Sequence, residues 1–220
     1  MNNTIPNFDK QSLTVKNELV TVEILFERIN DQNEFLYKNS YDKIIELNEI
    51  ENSSSSLILK IYFQSKIPLS ILIKGIDGGI FLHTANGEKN SYSVKILEDT
   101  IVFSLGFTFF MFDLVNLEIK WKIRPDLAEI FEFYNLQDDF LLRGELAIHR
   151  IDKCGNVKWS YGGKDIWVNI NGKPEVIIEN DKILLTDFEN NEYIINFDGE
   201  TLEDTSRLKQ QKTRRWWEFW

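Results

Sequence analysis

Cysteine is almost missing from this chain: Cys154 stands alone among 220 residues. A single thiol forbids an internal disulfide and leaves no set of thiolates for a metal cluster. Histidine is nearly as scarce, with only His83 and His149, so imidazole chemistry has two positions to draw on. No apolar run approaches the ~20 residues that a membrane-spanning helix needs. The longest, Ile101 to Phe112, is broken by Ser104, Gly106 and Thr108 and stops at Asp113. The opening MNNTIPNFDKQSL has neither a cationic n-region nor an apolar h-region, so no signal peptide is expected and a cytoplasmic location is.

What is present is apolar and acidic. The chain is 43% hydrophobic, with sixteen Phe, seven Tyr and six Trp, enough to build a buried core. The net charge of −10 is unevenly spread. Residues 207–220 hold Arg207, Lys209, Lys212, Arg214 and Arg215 against Glu218, which is +4, leaving −14 on residues 1–206. An acidic body lacks the dense cations that phosphate binding requires, which argues against a nucleic-acid partner. It is compatible with a solvated surface and with a basic protein partner.

The hydrophobic pattern has a period of two. Val20, Val22, Ile24 and Phe26 alternate with polar residues, as do Leu57, Leu59, Ile61 and Phe63, the pattern of half-buried strands. The run from Ile101 to Phe112 reads as a hairpin turning near Gly106, apolar on both faces and central in its sheet. Residues 41–50 suit either a short helix or a strand. The serines of 53–56 read as a linker or hairpin tip. Asp77-Gly78, Asn86-Gly87, Asn171-Gly172 and Asp198-Gly199 are turn signals at short intervals, and such dipeptides close antiparallel hairpins. The expectation is an all-β chain, antiparallel throughout, with at most one or two short helices.

One segment recurs. Asp99 to Trp121 reads DTIVFSLGFTFFMFDLVNLEIKW, and Asp139 to Trp159 reads DFLLRGELAIHRIDKCGNVKW. Asp181 to Leu202, DKILLTDFENNEYIINFDGETL, is a weaker copy without the Trp. Each is a strand, a turn, a second strand, a second turn and a third strand. No proline falls within these strands. One such sheet cannot bury its own apolar face, so the units are expected to stack. Asp152, Gly155 and Trp159 mark the second turn of the better copy. An Asp there can accept backbone N–H bonds, a Gly tolerates positive φ, and the Trp packs on a neighbouring sheet. The first copy keeps Asp113 and Trp121 but has Asn116-Leu117 where Gly is expected.

These residues resemble the tryptophan-docking repeat of quinoprotein-type β-propellers, in which Asp, Gly and Trp recur near the end of each four-stranded blade. The spacing from Asp113 to Asp152 is 39 and from Asp152 to Asp198 is 46, the size of a blade. The resemblance covers about residues 99–202. It implies an open, blade-like array or sandwich of stacked antiparallel meanders, because too few copies exist to close a ring. The organisation expected is an N-terminal β region over 1–98, blade-like repeats over 99–204 and a basic, aromatic tail over 205–220. The quinone cofactor, metal site and vicinal cysteines of some such enzymes have no matching positions, so no cofactor or metal is expected. Asp113, Trp121, Asp152, Gly155 and Trp159 are assigned structural roles.

No catalytic motif emerges. His83 and His149 could join carboxylates such as Asp77 or Glu145 at a metal, but their spacing does not demand it. Gly162-Gly163-Lys164 lacks the flanking glycine and hydroxyl residue of a phosphate-binding loop. Carboxylate pairs of the glycosidase kind are set by fold rather than by spacing, so Asp138-Asp139 and Glu203-Asp204 carry no weight among 35 acidic residues.

The tail is the second signal. RLKQQKTRRWWEFW places Trp216, Trp217 and Trp220 within five residues, beside Arg214, Arg215 and Phe219. Three readings stand. The rings cap an open sheet, they anchor a partner protein, or they rest at a membrane surface without stable insertion. The ending is similar to the Trp-Trp-x-Phe-Trp termini of small uncharacterised bacterial proteins, some of which accompany toxin loci. That resemblance implies an immunity-type inhibitor of a basic toxin domain. The function expected is therefore non-catalytic protein binding, with Arg214, Arg215, Trp216, Trp217, Phe219 and Trp220 as candidate partner contacts. A carboxylate-based hydrolase or sugar-binding protein, with Trp167, His83 and acidic residues sharing one cleft, is the alternative. A homo-oligomer completing a propeller-like ring is a third.

Overall fold

A computed structural model describes residues 10–28, 40–49, 55–64, 67–79, 81–85 and 90–206. The Asn86-Gly87 turn and the candidate tail contacts Arg214, Arg215, Trp216, Trp217, Phe219 and Trp220 lie outside them. The described chain is all-β, and its strands form four sheets.

The first sheet holds β1 (Lys10–Lys16), β2 (Val20–Arg28), β3 (Lys43–Glu46), β4 (Ser55–Phe63) and β5 (Leu69–Ile76), in the order β1-β2-β4-β5-β3. Four of its strands form an antiparallel meander, and β3 adds to the far edge parallel to β5. This corrects the expectation of antiparallel pairing throughout, and within residues 41–49 it places a short strand over Lys43–Glu46. A second correction concerns the serines: Ser55 and Ser56 are buried and start β4.

The three following sheets are four-stranded meanders in strict chain order. The second holds β6 (Val94–Leu97), β7 (Thr100–Leu105), β8 (Thr108–Asp113) and β9 (Glu118–Ile123). The third holds β10 (Ile130–Leu136), β11 (Asp139–Gly144), β12 (Ile148–Ile151) and β13 (Val157–Tyr161). The fourth holds β14 (Val176–Glu179), β15 (Lys182–Thr186), β16 (Glu192–Asn196) and β17 (Thr201–Asp204). The repeat read from the sequence is the last three strands of each. The opening strand (β6, β10 or β14) was not visible as part of it, so the second sheet reaches back to Val94.

The sheets stack face to face in chain order, with one apolar core between each neighbouring pair. Val22, Ile24 and Phe26 of β2 meet Leu57, Leu59 and Ile61 of β4 and pack on Ile101, Phe103, Phe110 and Phe112 of the second sheet. The opposite face of that sheet, with Val102, Phe109 and Met111, packs on Phe133, Phe140, Leu142 and Ile151 of the third. Tyr134, Leu141 and Ile148 of the third then meet Val176, Ile183, Leu185, Tyr193 and Ile195 of the fourth. Alternate residues of β7 and β8 serve two different cores, so all twelve residues of those two strands are buried. That double burial is why Ile101 to Phe112 has no polar alternation.

Candidate binding face

The junctions between sheets show what each face is built to receive. In the second sheet the pairing places Val102, Met111 and Trp121 in one row across β7, β8 and β9. The Trp121 ring lies over the second turn of the third sheet, and its Nε1 donates to the Lys153 carbonyl at 2.8 Å. In the third sheet the equivalent row is Tyr134, Leu141, Arg150 and Trp159. Trp159 Nε1 donates to the Phe197 carbonyl of the fourth sheet at 2.8 Å, and Arg150 Nη1 donates to the same oxygen at 2.7 Å.

Each docked ring needs a glycine beneath it. A Cβ at Gly155 would fall 2.8 Å from the Trp121 ring, and one at Gly199 would fall 2.8 Å from Trp159. Both glycines also have φ above +80°, where a side chain is disfavoured. The turn of the second sheet has Leu117 at the positive-φ position, with φ +56°. Leu117 itself packs into the first core, which contains no Trp. A turn that receives no ring needs no glycine, which explains the departure of the first copy from the pattern.

The turns are held by one side chain each. Asp152 Oδ1 accepts from the backbone N–H groups of Cys154 and Asn156, and its Oδ2 accepts from Asn156 Nδ2. These bonds hold the Asp152 carboxyl below its usual range. Asp113 does the same with Val115 and Asn116. In the fourth sheet this role falls to Asn196 and not to Asp198. Asn196 Oδ1 accepts from Asp198 N–H and Glu200 N–H, and its Nδ2 donates to Glu200 Oε2. The repeat spacing from Asp152 is therefore 44 residues, measured to Asn196, rather than 46.

Counted from that turn and from the strand pairing, Glu203 stands where the earlier sheets have Trp121 and Trp159. The row across the outward face of the fourth sheet is Ile177, Leu184, Ile194 and Glu203. Ile177 is 39% exposed, Leu184 and Ile194 are half-buried, and Glu203 is exposed. Leu202 beside it is 57% exposed. Glu179 and Glu192 are exposed on the same face, and Lys182 is partly so. The arrangement is an apolar strip edged with carboxylates. Reasoning from the sequence passed over it, although Ile183-Leu184-Leu185 and Tyr193-Ile194-Ile195 were a usable signal: unbroken apolar runs mark strands covered on both faces.

The titratable groups elsewhere are tied into structure. Glu132 is buried and accepts from Ser91 Oγ at 2.6 Å, Tyr134 Oη at 2.6 Å and Arg143 Nε at 2.8 Å. Burial alone would raise its carboxyl, but the Arg143 charge and these three donors outweigh it and hold it below the usual range. Burial, with Glu132 alongside, pushes the Tyr134 phenol far up. His83 Nε2 lies 3.2 Å from Ser91 Oγ and 3.8 Å from Glu132. The order differs from a nucleophilic triad: Ser91 donates its hydrogen bond to an ion-paired carboxylate, a poor base, while histidine stands outside. His149 is buried on β12, with Nδ1 2.8 Å from Ser160 Oγ and Nε2 3.6 Å from Asp126. Burial lowers its pKa, and Asp126 only partly offsets that.

The two histidines thus have different carboxylate neighbours, and Asp77 pairs with Arg124 at 3.1 Å. Among the described residues no three histidine, cysteine or acidic side chains converge as a metal would require. Trp167, proposed for a sugar-binding cleft with His83, is fully buried between Tyr161 and Tyr193 in the core of the last two sheets. A cleft of about 480 Å³ runs between the opening strands, lined by Tyr92, Asn135, Val176 and Ile178. It contains neither His83 nor a carboxylate. No helix among the described residues is long and apolar enough to cross a membrane.

No family model and no curated protein matches this chain. Solved structures resemble it at low identity. The computationally designed Ika4 protein aligns at 8% identity over 58% of this chain and 79% of its own length, with a TM-score of 0.41. The designed Ika8 protein aligns at 6% over 87% and 60%, with a TM-score of 0.43. BamB from Moraxella catarrhalis aligns at 12% over 69% and 42%, with a TM-score of 0.41. The chain spans less than two thirds of the last two. Its own strand order and docked tryptophans make it an open array of propeller-like repeats.

Proposed function

We propose that this chain is a non-catalytic scaffold that holds another protein on the outward face of its fourth sheet. One observation carries the reading. The corresponding face is covered by the next sheet in both the second and the third repeat, whereas Ile177, Leu184 and Ile194 have no following sheet among the described residues. Apolar strips rimmed by polar groups are characteristic of protein-binding surfaces. Glu179 and Glu203 favour a partner with cations facing them, while Glu192 is already paired with Lys173 at 3.0 Å. Inhibition of a basic toxin domain, as an immunity protein would, is the narrowest form of this proposal, and it rests on the acidic balance and the tail sequence. Ring completion by a second copy is supported less well. The outward face of the first sheet carries a matching row of Leu25, Ile58, Leu72 and Ile44, but Ile58 and Leu72 are already buried within one chain.

Capture from host lysate with two baits tests the proposal. The native chain should retain a stoichiometric partner, and Ile177→Glu with unchanged melting should lose it. Equal recovery by both baits would remove this face from the interaction. Association with the recovered partner should slow as salt rises.

A further inference from the structure

We propose that the open edge of β14 is a peptide site, where an extended segment of a partner protein adds as a fifth strand of the fourth sheet. The site is the edge of that sheet and not its outward face, so it stands or falls independently of the reading above.

Two earlier sheets set the pattern. β6, β10 and β14 are the outermost opening strands of their sheets. Three residues before the last residue of each stand Val94, Phe133 and Val176. Val94 N–H donates to the His83 carbonyl at 3.4 Å, and Phe133 exchanges two bonds of 2.8 Å with Tyr92. In both sheets a preceding stretch of chain closes the edge at this position. The fourth sheet has the same register. Thr186 N–H donates to the Glu175 carbonyl at 3.0 Å, and antiparallel bonds alternate in direction along a strand. Ile177 therefore bonds across to Leu184, while Val176 and Ile178 turn their N–H and C=O groups away from β15. Among the described residues no backbone group meets them there. Such an edge is a template for another extended chain.

There is room beside it. The cleft of about 480 Å³ is lined by Asn90, Tyr92, Asn135, Pro174, Val176 and Ile178. Tyr92 pairs with β10 in the third sheet, so the cleft takes the corresponding place beside β14 in the fourth. Only a short segment fits. Pro174, two residues before Val176, has no N–H to extend the ladder, and Asn180, with φ +44°, begins the turn at the other end. Residues bound opposite Val176 and Ile178 share their side of the sheet, which packs toward Tyr134 of the third. Their side chains therefore meet the wall of Tyr92 and Asn135. Lys95 Nζ lies 4.7 Å from the centre of the Tyr92 ring and donates to Asn135 Oδ1 at 2.6 Å, which disfavours a second cation. The segment that fits carries aliphatic or aromatic residues at alternate positions, with no proline and no Lys or Arg at the two that face Val176 and Ile178.

Amide hydrogen exchange and peptide binding, both on the full chain, test this. By NMR the Phe133 amide should be protected, and the Val176 and Ile178 amides should exchange roughly 100-fold faster. Slow exchange of these two in dilute protein would overturn the inference, because the chain would then cover its own edge. Protection that grows with protein concentration would overturn it too, by assigning the edge to a second copy. The peptide probe is an array of acetylated, amidated nonapeptides alternating Val, Ile or Tyr with Ser, Thr or Gln. A binder should slow both amides. Methylating alternate backbone nitrogens should weaken it by about tenfold or more in one register and far less in the other. Val176→Pro removes an outward N–H while sparing the β15 ladder, and should abolish binding; should it fail to fold, the methylated peptides decide alone. An array without a binder, or binders indifferent to methylation, would overturn the inference. Ile177→Glu should leave peptide binding within about twofold, so its loss of a captured partner bears only on the outward face.

Discussion

The third and fourth sheets are built on one plan and differ in what stands at the end of the outward row. In the third, Trp159 reaches the next sheet with its ring on Gly199 and its N–H on the Phe197 carbonyl. In the fourth, Glu203 takes the same register position and faces solvent. Leu141 and Leu184 hold the same place in the two rows, whereas Tyr134 and Arg150 stand where the fourth sheet has Ile177 and Ile194. A docked junction is thus specified by a matched pair, a Trp on one sheet and a Gly on the next, while the aliphatic strip only makes a face worth covering. Without the Trp, the fourth sheet lacks the ring that docks the third on its neighbour.

Trp159→Ala should break the comparison most severely. It removes a partly buried indole and its hydrogen bond, at a cost of about 3 kcal/mol, and chemical denaturation should show it. Gly155→Ala ranks next. Its Cβ meets the Trp121 ring and its φ is +85°, so a loss of about 2 kcal/mol is expected. Gly172→Ala has φ +77° but open space around it, and should lose only about 1 kcal/mol. An equal loss at the two glycines would show that the docked ring adds nothing.

A pH effect of similar size sharpens the view of the third sheet. Burial depresses His149 below its ordinary pKa of about 6.5. As pH falls through that value the unfolded chain takes up the proton first, so stability declines, by at most about 1.4 kcal/mol per pH unit. Melting between pH 7.5 and 5.5 should show this decline, flattened in His149→Gln. Glu203→Trp should have the smallest effect, within about 0.5 kcal/mol, because among the described residues no glycine turn follows to receive the ring. A large gain in melting temperature would mean that one does.

The sequence made the repeat legible where side chains carry a fixed local task. Asp152, Gly155 and Trp159 announce a turn and a docked ring in eight residues, and the structure places all three in those roles. The opening strands escaped notice because β6, β10 and β14 are edge strands without a turn code of their own. β3 stayed ambiguous because four residues are too few to show a period, and its parallel pairing with β5 depends on distant chain. The outward row of the fourth sheet was hidden for another reason. Ile177, Leu184, Ile194 and Glu203 come from four strands, and only the register brings them into one row.

The two turns built on Asp152 and Asn196 keep the same backbone bonds but run their side-chain bond in opposite directions. In one, an amide gives to a carboxylate; in the other, the amide and carboxylate have traded places. A single exchange at either turn would set two carboxylates or two amides against each other, whereas a paired exchange restores the bond. The two positions of each turn are therefore coupled, so that a change at one calls for a matching change at the other. Kinship within such a chain is better traced through which positions change together than through which residues remain.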